Sequence, residues 1–393
     1  MAWRSLSALI LLLLAACGDE RPGSSPAAMS GLRVEALLGE VSDEGFLRAQ
    51  RPRQFVFPQD HGAHPGYRSE WWYVTATMAD ERGREYGVQF TLFRQALTPQ
   101  PAGDGPWHTG VVYLGHLAVT DVAAQRHVEA QRFARGHPQL AGVRTASGWS
   151  LYIDDWTLQQ PEQQHTEGAF TFRLQARERG HADPEFGVDL QMTQTQAIVL
   201  QGQRGLSRKS ADGGSYYYSM PGLQVQGTLH LADRSVKVSG QGWLDREWST
   251  SVLPAGVAGW DWFALQLSDG RRIMAFRLRR RDGGRDEFDH GMVVGAQSPL
   301  TGVVGAGDPG VRLLTPTDFE LRPLRYWRDE RGVEWPVSWS LIIGEEIFSI
   351  AALVDDQVME TAILYWEGIV GVRDQAGADI GRGYMELTGY LAD

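Results

Sequence analysis

The chain has 393 residues, with 37 Lys and Arg against 48 Asp and Glu for a net charge of -11, and it carries 46 glycines, 14 tryptophans and a single cysteine. Acidic balance without a dense basic cluster excludes a nucleic-acid-binding face, and no nucleic-acid partner is expected. One thiol excludes an internal disulfide and a thiolate zinc site.

Residues 1–16 read as a secretory signal: Arg4, an apolar run from Leu9 to Leu14, then Leu14-Ala15-Ala16 before Cys17. The run is too short to span a bilayer as a mature helix. A sole cysteine at the cut site is expected to carry lipid, making membrane contact through that anchor. Gly18 in place of an aspartate favours the outer membrane over the inner one. Residues 17–48 are assigned to the anchor and tether, of which 18–32 are rich in Gly, Ser, Pro and charge without apolar period. Localisation is therefore expected on the periplasmic side of a bacterial membrane.

The chain beyond the tether is too long for one ordinary core and fits two domains. Alternating apolar and polar residues recur between turn residues, while sustained helical periodicity is scarce, so an all-β chain is expected. Strands are expected near 71–78, 86–93, 111–121, 170–176, 186–192, 223–231, 260–267, 273–278, 363–372 and 384–390. So many strands on short turns suit closed barrels better than open sheets. Glu70-Trp71-Trp72-Tyr73 opens an aromatic hairpin that returns to Arg94, and Trp260-Asp261-Trp262-Phe263 opens another that returns to Arg279. This self-similarity suggests two related barrels, 49–222 and 223–393.

Several motifs receive plain readings. Gly305-Ala306-Gly307-Asp308-Pro309-Gly310 matches a dinucleotide fingerprint, but Pro309 and the strand-like 311–314 deny it a helix N-terminus, so it is a turn. Arg279, Arg280 and Arg281 end a strand pattern as a solvated turn. No nucleophile elbow or phosphate-binding loop occurs, and no cofactor is expected. His61 and His64 lie in a loop without an obvious third ligand, so no metal is expected.

Other residues point toward a site. On a strand Glu70 and Trp72 face one way and Trp71 and Tyr73 the other, so one pair can line a cavity while the other closes a base. Arg94 can reach Glu70 as a buried clamp. Trp243-Leu244-Asp245-Arg246-Glu247-Trp248 sets an aspartate between tryptophans. Desolvation there would raise its pKa and make it a general acid. Pairing with Arg246 or another arginine would lower the pKa instead, and the balance is expected to fall on the ion pair. Glu367, in Tyr365-Trp366-Glu367-Gly368, carries the same ambiguity.

The segments FPQDHGAHPGYRSEWWYVTATM, YGVQFTLFRQ, LQGQRGLSRKSADGGSYYYSMPGLQVQG, GWLDREWSTS, GWDWFALQLSDG, YWEGIVGV and GYMELTGY, in order from Phe57 to Tyr390, together resemble the lipocalin-like family of carotenoid 1,2-hydratase and the AttH-type secreted proteins. The resemblance implies two tandem calycin-type β-barrels, frequent association with ABC-transporter permeases, and an apolar cavity for isoprenoid, acyl or polyketide-like molecules. It also implies that Asp245 stands where the hydratases carry their proton donor, with Tyr216 and Tyr218 where a histidine and a tryptophan accompany it.

Three functions are then expected in order. The first is a lipid-anchored protein binding an elongated apolar ligand through Glu70, Trp71, Trp72, Tyr73, Trp243, Trp260, Trp262 and Glu367, working with an ABC-type export system. The second is an enzyme of hydration or isomerisation in which Asp245 protonates an alkene and Tyr216 or Tyr218 orients water. The third is a surface glycan or protein-interaction module using exposed tryptophans. Pooled tryptophans would indicate the first two, and a surface patch the third.

Overall fold

The computed structural model describes residues 43–391, apart from 101–102, 104, 106–108, 146–147, 161–168, 180–184, 233, 251–252, 255 and 300. The signal segment, Cys17 and residues 18–32 lie outside the described residues. Residues 43–48, assigned above to the tether, already join the fold: the Leu47 N–H donates to the Gly66 carbonyl at 2.9 Å.

Twenty-four strands and one single-turn 3-10 helix, Gln59–His61, make up the regular structure of the described residues. The strands are β1 (Ser69–Ala79), β2 (Glu85–Ala96), β3 (Val111–Asp121), β4 (Arg126–Arg135), β5 (Ala141–Arg144), β6 (Ser150–Ile153), β7 (Trp156–Gln159), β8 (Thr171–Glu178), β9 (Phe186–Gln194), β10 (Ile198–Leu200), β11 (Leu206–Arg208) and β12 (Gly214–Leu231). They continue as β13 (Arg234–Ser249), β14 (Val257–Leu267), β15 (Arg272–Arg280), β16 (His290–Val294), β17 (Val303–Gly305), β18 (Val311–Leu314), β19 (Phe319–Arg328), β20 (Glu334–Ile343), β21 (Glu346–Ala352), β22 (Val358–Glu360), β23 (Leu364–Arg373) and β24 (Asp379–Leu387).

They form two sheets. The first runs β4-β3-β2-β1-β13-β12-β9-β8-β7-β6-β5 and curls into a nearly closed barrel, with β10 and β11 attached at β12 and β17 attached at β10. The second runs β18-β16-β15-β14-β24-β23-β21-β20-β19, with β22 on β23. The expected boundary at Gly222 falls inside β12, so it is corrected: the change of sheet comes between Ser249 and Val257. The hairpin β12–β13 belongs wholly to the first barrel because its strands pair with β9 on one side and β1 on the other.

The two sheets share one connection pattern. β1 sits between its hairpin partner β2 and the returning β13, as β14 sits between β15 and β24. Each strand has two occupied faces. Trp72, Val74, Ala76 and Met78 of β1 point into the first barrel, while Phe263, Leu265 and Leu267 of β14 point into the second. The opposite faces of the corresponding strands meet each other, and Tyr73, Tyr217, Trp243, Trp262, Ala264, Met274, Phe276, Ile369 and Tyr384 form a third core between the sheets. Most of β1, β2 and β23 is therefore buried on both sides. No tryptophan among the described residues is exposed.

Candidate functional site

Parity along the strands decides which side chains meet. Trp71 and Tyr73 of β1, Thr91 and Phe93 of β2, Asp245 and Glu247 of β13, and Tyr217 of β12 all leave the first barrel on its outer face. Trp260 and Trp262 of β14, Phe276 of β15, Tyr365 and Glu367 of β23, and Glu386 of β24 face them from the second sheet. Together they line a partly open cleft with a cavity of about 70 Å³. Its exposed walls are mostly apolar, with aromatic rings from both sheets and a few convergent polar groups, the make-up of a small-molecule site.

Asp245 is the centre of its polar lining. The Tyr217 hydroxyl donates to Oδ2 at 2.5 Å and the Trp243 indole N–H to Oδ1 at 2.7 Å, while the Ser219 hydroxyl also donates to Oδ1 at 2.5 Å. Trp262 donates in turn to the Tyr217 oxygen at 3.1 Å. These neutral donors fix the carboxyl without supplying a counter-charge. Burial consequently wins and pushes Asp245 up to about 7, despite the downward pull of Ser219, Tyr217 and Trp243, with the Glu247 charge adding to the rise.

The arginine expected to neutralise Asp245 points the other way. Arg246 lies on the inner face, fully buried, with its guanidinium 3.8 Å from the centre of the Trp72 ring. It pairs there with Glu70, whose other oxygen lies 3.1 Å from Arg94 Nη1. The His64 backbone N–H donates to both Glu70 oxygens at 3.1 and 3.0 Å. Burial alone would raise Glu70, but Arg246 leads the interactions that hold it down at about 2. The ion-pair expectation for Asp245 is thus corrected: adjacent strand residues occupy opposite faces, so Asp245 and Arg246 cannot share an environment.

The same parity corrects four more placements. Tyr216 and Tyr218 face the interior of the first barrel, where Tyr218 meets His61 Nδ1 at 2.6 Å and Tyr216 donates to the Arg51 carbonyl at 2.8 Å. Neither can orient water at Asp245. Glu70 and Trp72 are likewise inside that barrel, not in the cleft. Trp71, Tyr73, Trp260, Trp262 and Glu367 do line the cleft, and Trp243 lies behind it against Trp262, with ring centres 6.3 Å apart. His61 and His64 are used within the loop that plugs the barrel; His64 stacks on Trp248 at 3.8 Å between Asp60 and Glu70.

Tyr217, Ser219, Glu247, Lys209, Tyr365 and Glu386 were missed from sequence. Glu386 had a visible signal, since Tyr384, Glu386 and Thr388 alternate on one face of the strand. Tyr217 did not, because register shifts between Met220 and Leu223. Tyr216, Tyr218 and Met220 point inward before that bulge, and Leu223, Val225 and Leu229 point inward after it.

The second sheet contributes two carboxyls. Glu367 is 1% exposed, and neither of its oxygens meets a protein donor in hydrogen-bond geometry, although the Tyr73 and Tyr365 hydroxyls flank it. Burial, then the neighbouring Glu386, pushes Glu367 well above the usual carboxylate range. Glu386, beside Trp260, is raised to about 8 by burial. Lys209 is the only basic residue lining the cleft among the described residues, and it is already paired with Glu247.

The AttH-like family profile matches residues 48–390. The crystal structure of a candidate AttH protein from Nitrosomonas europaea is 33% identical, with a TM-score of 0.74 over 88% of this chain and 100% of that one. Kievitone hydratase from Nectria haematococca superposes with a TM-score of 0.58 at 14% identity, over 88% of this chain and 98% of that one, a likeness of fold alone. No curated protein sequence matches the chain.

Proposed function

The chain belongs to the AttH-like family, with its lipocalin-like all-β fold, and from that premise we propose that it binds an elongated, largely apolar molecule between its two sheets and protonates it through Asp245. One observation carries this reading: a carboxyl 4% exposed, held by three neutral donors and no cation, opens onto an aromatic cleft. A cleft meant only to retain hydrocarbon has no need of a buried acid, because burying that carboxyl costs free energy. A proton donor at neutral pH requires such an environment.

The supported reaction is hydration or isomerisation of an alkene. Asp245 transfers its proton to one alkene carbon, leaving a carboxylate and a cation on the adjacent carbon, whose charge faces the surrounding aromatic rings. Water then adds to that carbon, and the proton lost from the added water returns to Asp245. Transfer of a proton from a neighbouring carbon to the Asp245 carboxylate instead gives the isomer and restores the acid. The Tyr217 hydroxyl, bonded to Asp245 and to Trp262, keeps the carboxyl aimed.

The cellular setting belongs to the same proposal. Lipid on Cys17 holds the protein outside the cytoplasm, on the outer membrane, where it exchanges its ligand with an ABC-type export complex. The N-terminal sequence supports the anchor, and the family resemblance supports the transporter. The carrier role expected first remains the second reading, favoured by the predominance of apolar over polar surface in the cleft.

The test uses geranylgeraniol as a probe. Quenching of tryptophan fluorescence reports binding, and a mass gain of one water reports chemistry. Wild type should do both, and Asp245→Asn should bind without converting. Equal conversion by the variant would remove Asp245 from the mechanism. Binding without conversion by wild type would leave the carrier, and no quenching by this or other apolar alkenes would refute the cleft as the binding site.

A further inference from the structure

Resting on the reading of the cleft as the ligand site, we propose that its ligand carries an organic cation, a protonated amine or quaternary ammonium on an apolar body, whose charge sits at Glu367 and Glu386. The cleft lacks free positive charge. Asp245, Glu247, Glu367 and Glu386 all line it, against Lys209 as the only basic residue among the described lining, and the Glu247 carboxylate already occupies that ammonium. Arg246 is committed to Glu70 on the other face of β13. An acyl carboxylate or a phosphate would therefore enter the site with no free counter-charge and several acids around it. The anionic end of the acyl class is excluded by charge.

The same residues provide what a cation needs. Glu367 is buried and opens into the cleft, with the Tyr73 and Tyr365 hydroxyls beside it but neither oxygen in hydrogen-bond geometry with a protein donor and no cation near among the described residues, an arrangement that costs stability unless something else uses it. Tyr73 and Tyr365 flank it, and Trp71, Phe93, Tyr217, Trp260, Trp262 and Phe276 supply the rest of the aromatic lining. Aromatic faces attract a desolvated ammonium through their negative ring faces. A carboxylate at the end of such walls is the complement of an alkylammonium group.

The arrangement also fits acid chemistry at Asp245. A bound cation lets Glu367 and Glu386 ionise, because a nearby opposite charge favours the charged form. Their negative charge, added to that of Glu247, opposes ionisation of Asp245. The acid stays loaded while its neighbours hold the ligand.

Three amphiphiles of one chain length separate the possibilities: decyltrimethylammonium, decanol and decanoate, each below its micellar concentration, followed by tryptophan quenching of the full-length protein in 0.5 M salt to screen its surface charge. The expected order is ammonium, alcohol, carboxylate, with the ammonium at least tenfold tighter than the alcohol. Its affinity should rise from pH 6 to pH 9 as the two glutamates ionise. Glu367→Gln and Glu386→Gln, made singly, should bring ammonium binding down to the level of decanol binding in the same variant and flatten its pH dependence. Equal binding of ammonium and alcohol by wild type would overturn the cation site and leave the cleft reading standing. A preference that survives in both variants would overturn it as well. Failure of all three probes would instead refute the cleft as a ligand site.

Discussion

At the scale of single residues, the two faces of β13 hold carboxyl partners of opposite character, and pH distinguishes them. Glu70, paired with Arg246, is lowered to about 2 from an ordinary 4.5. Its contribution is complete above about pH 4.5 and is lost as pH falls toward 2. Glu70→Gln strands a buried guanidinium and should cost about 3–5 kcal/mol at pH 7, read as a lowered denaturation midpoint. A loss below about 1 kcal/mol would show that the barrel floor does not depend on the pair. Asp245 has the reverse sign. Raised to about 7 from 3.8, it favours the fold fully only below pH 4, and that contribution fades as pH climbs to 7. Asp245→Asn removes this slope, so at pH 8 the variant should melt at the wild-type temperature or above it. A fall of several degrees at pH 8 would return Asp245 to the ion-pair role expected from sequence.

At the scale of elements, alternation made the strands near both aromatic hairpins legible, because each carries one face into a core. It failed at β4, where all residues between the exposed ends are partly buried or exposed in no two-residue period, and β20 went unread although Trp335, Val337, Trp339, Leu341 and Ile343 alternate into the second core. The site was only half legible for a related reason. Trp71, Tyr73 and Glu367 can be placed by counting along one strand, but pairing Tyr217 with the acid's strand needs the cross-strand register, which the bulge at Pro221-Gly222 resets. Gly87 marks where the sheets approach each other. A Cβ there would lie 2.6 Å from the Tyr384 hydroxyl and 2.9 Å from Ile369 Cβ. Gly87→Val should therefore wedge β2 from β23 and β24, costing about 1–3 kcal/mol and weakening geranylgeraniol binding. Unchanged binding and stability would show that the sheets accommodate the wedge.

At the scale of the whole molecule, two barrels repeat one connection pattern, yet the cleft belongs to neither. It exists because both sheets bury the outer faces of their central strands against each other. The residue pattern suggests two barrels but leaves open whether the ligand lies in one of them or between them. The anchor is a separate matter of the N-terminal sequence: Cys17→Ala should abolish incorporation of a palmitate analogue and move the protein from the membrane to the soluble or uncleaved fraction, and equal labelling would refute lipidation. The central claim is that Asp245 keeps its proton near neutral pH inside an aromatic cleft. Infrared difference spectroscopy between pH 5 and pH 9 tests it without knowledge of the ligand. A protonated-carboxyl band that disappears as pH passes through about 7, present in wild type and missing from Asp245→Asn, is the predicted result. Identical spectra for the two proteins across that range would show Asp245 ionised throughout and contradict the account.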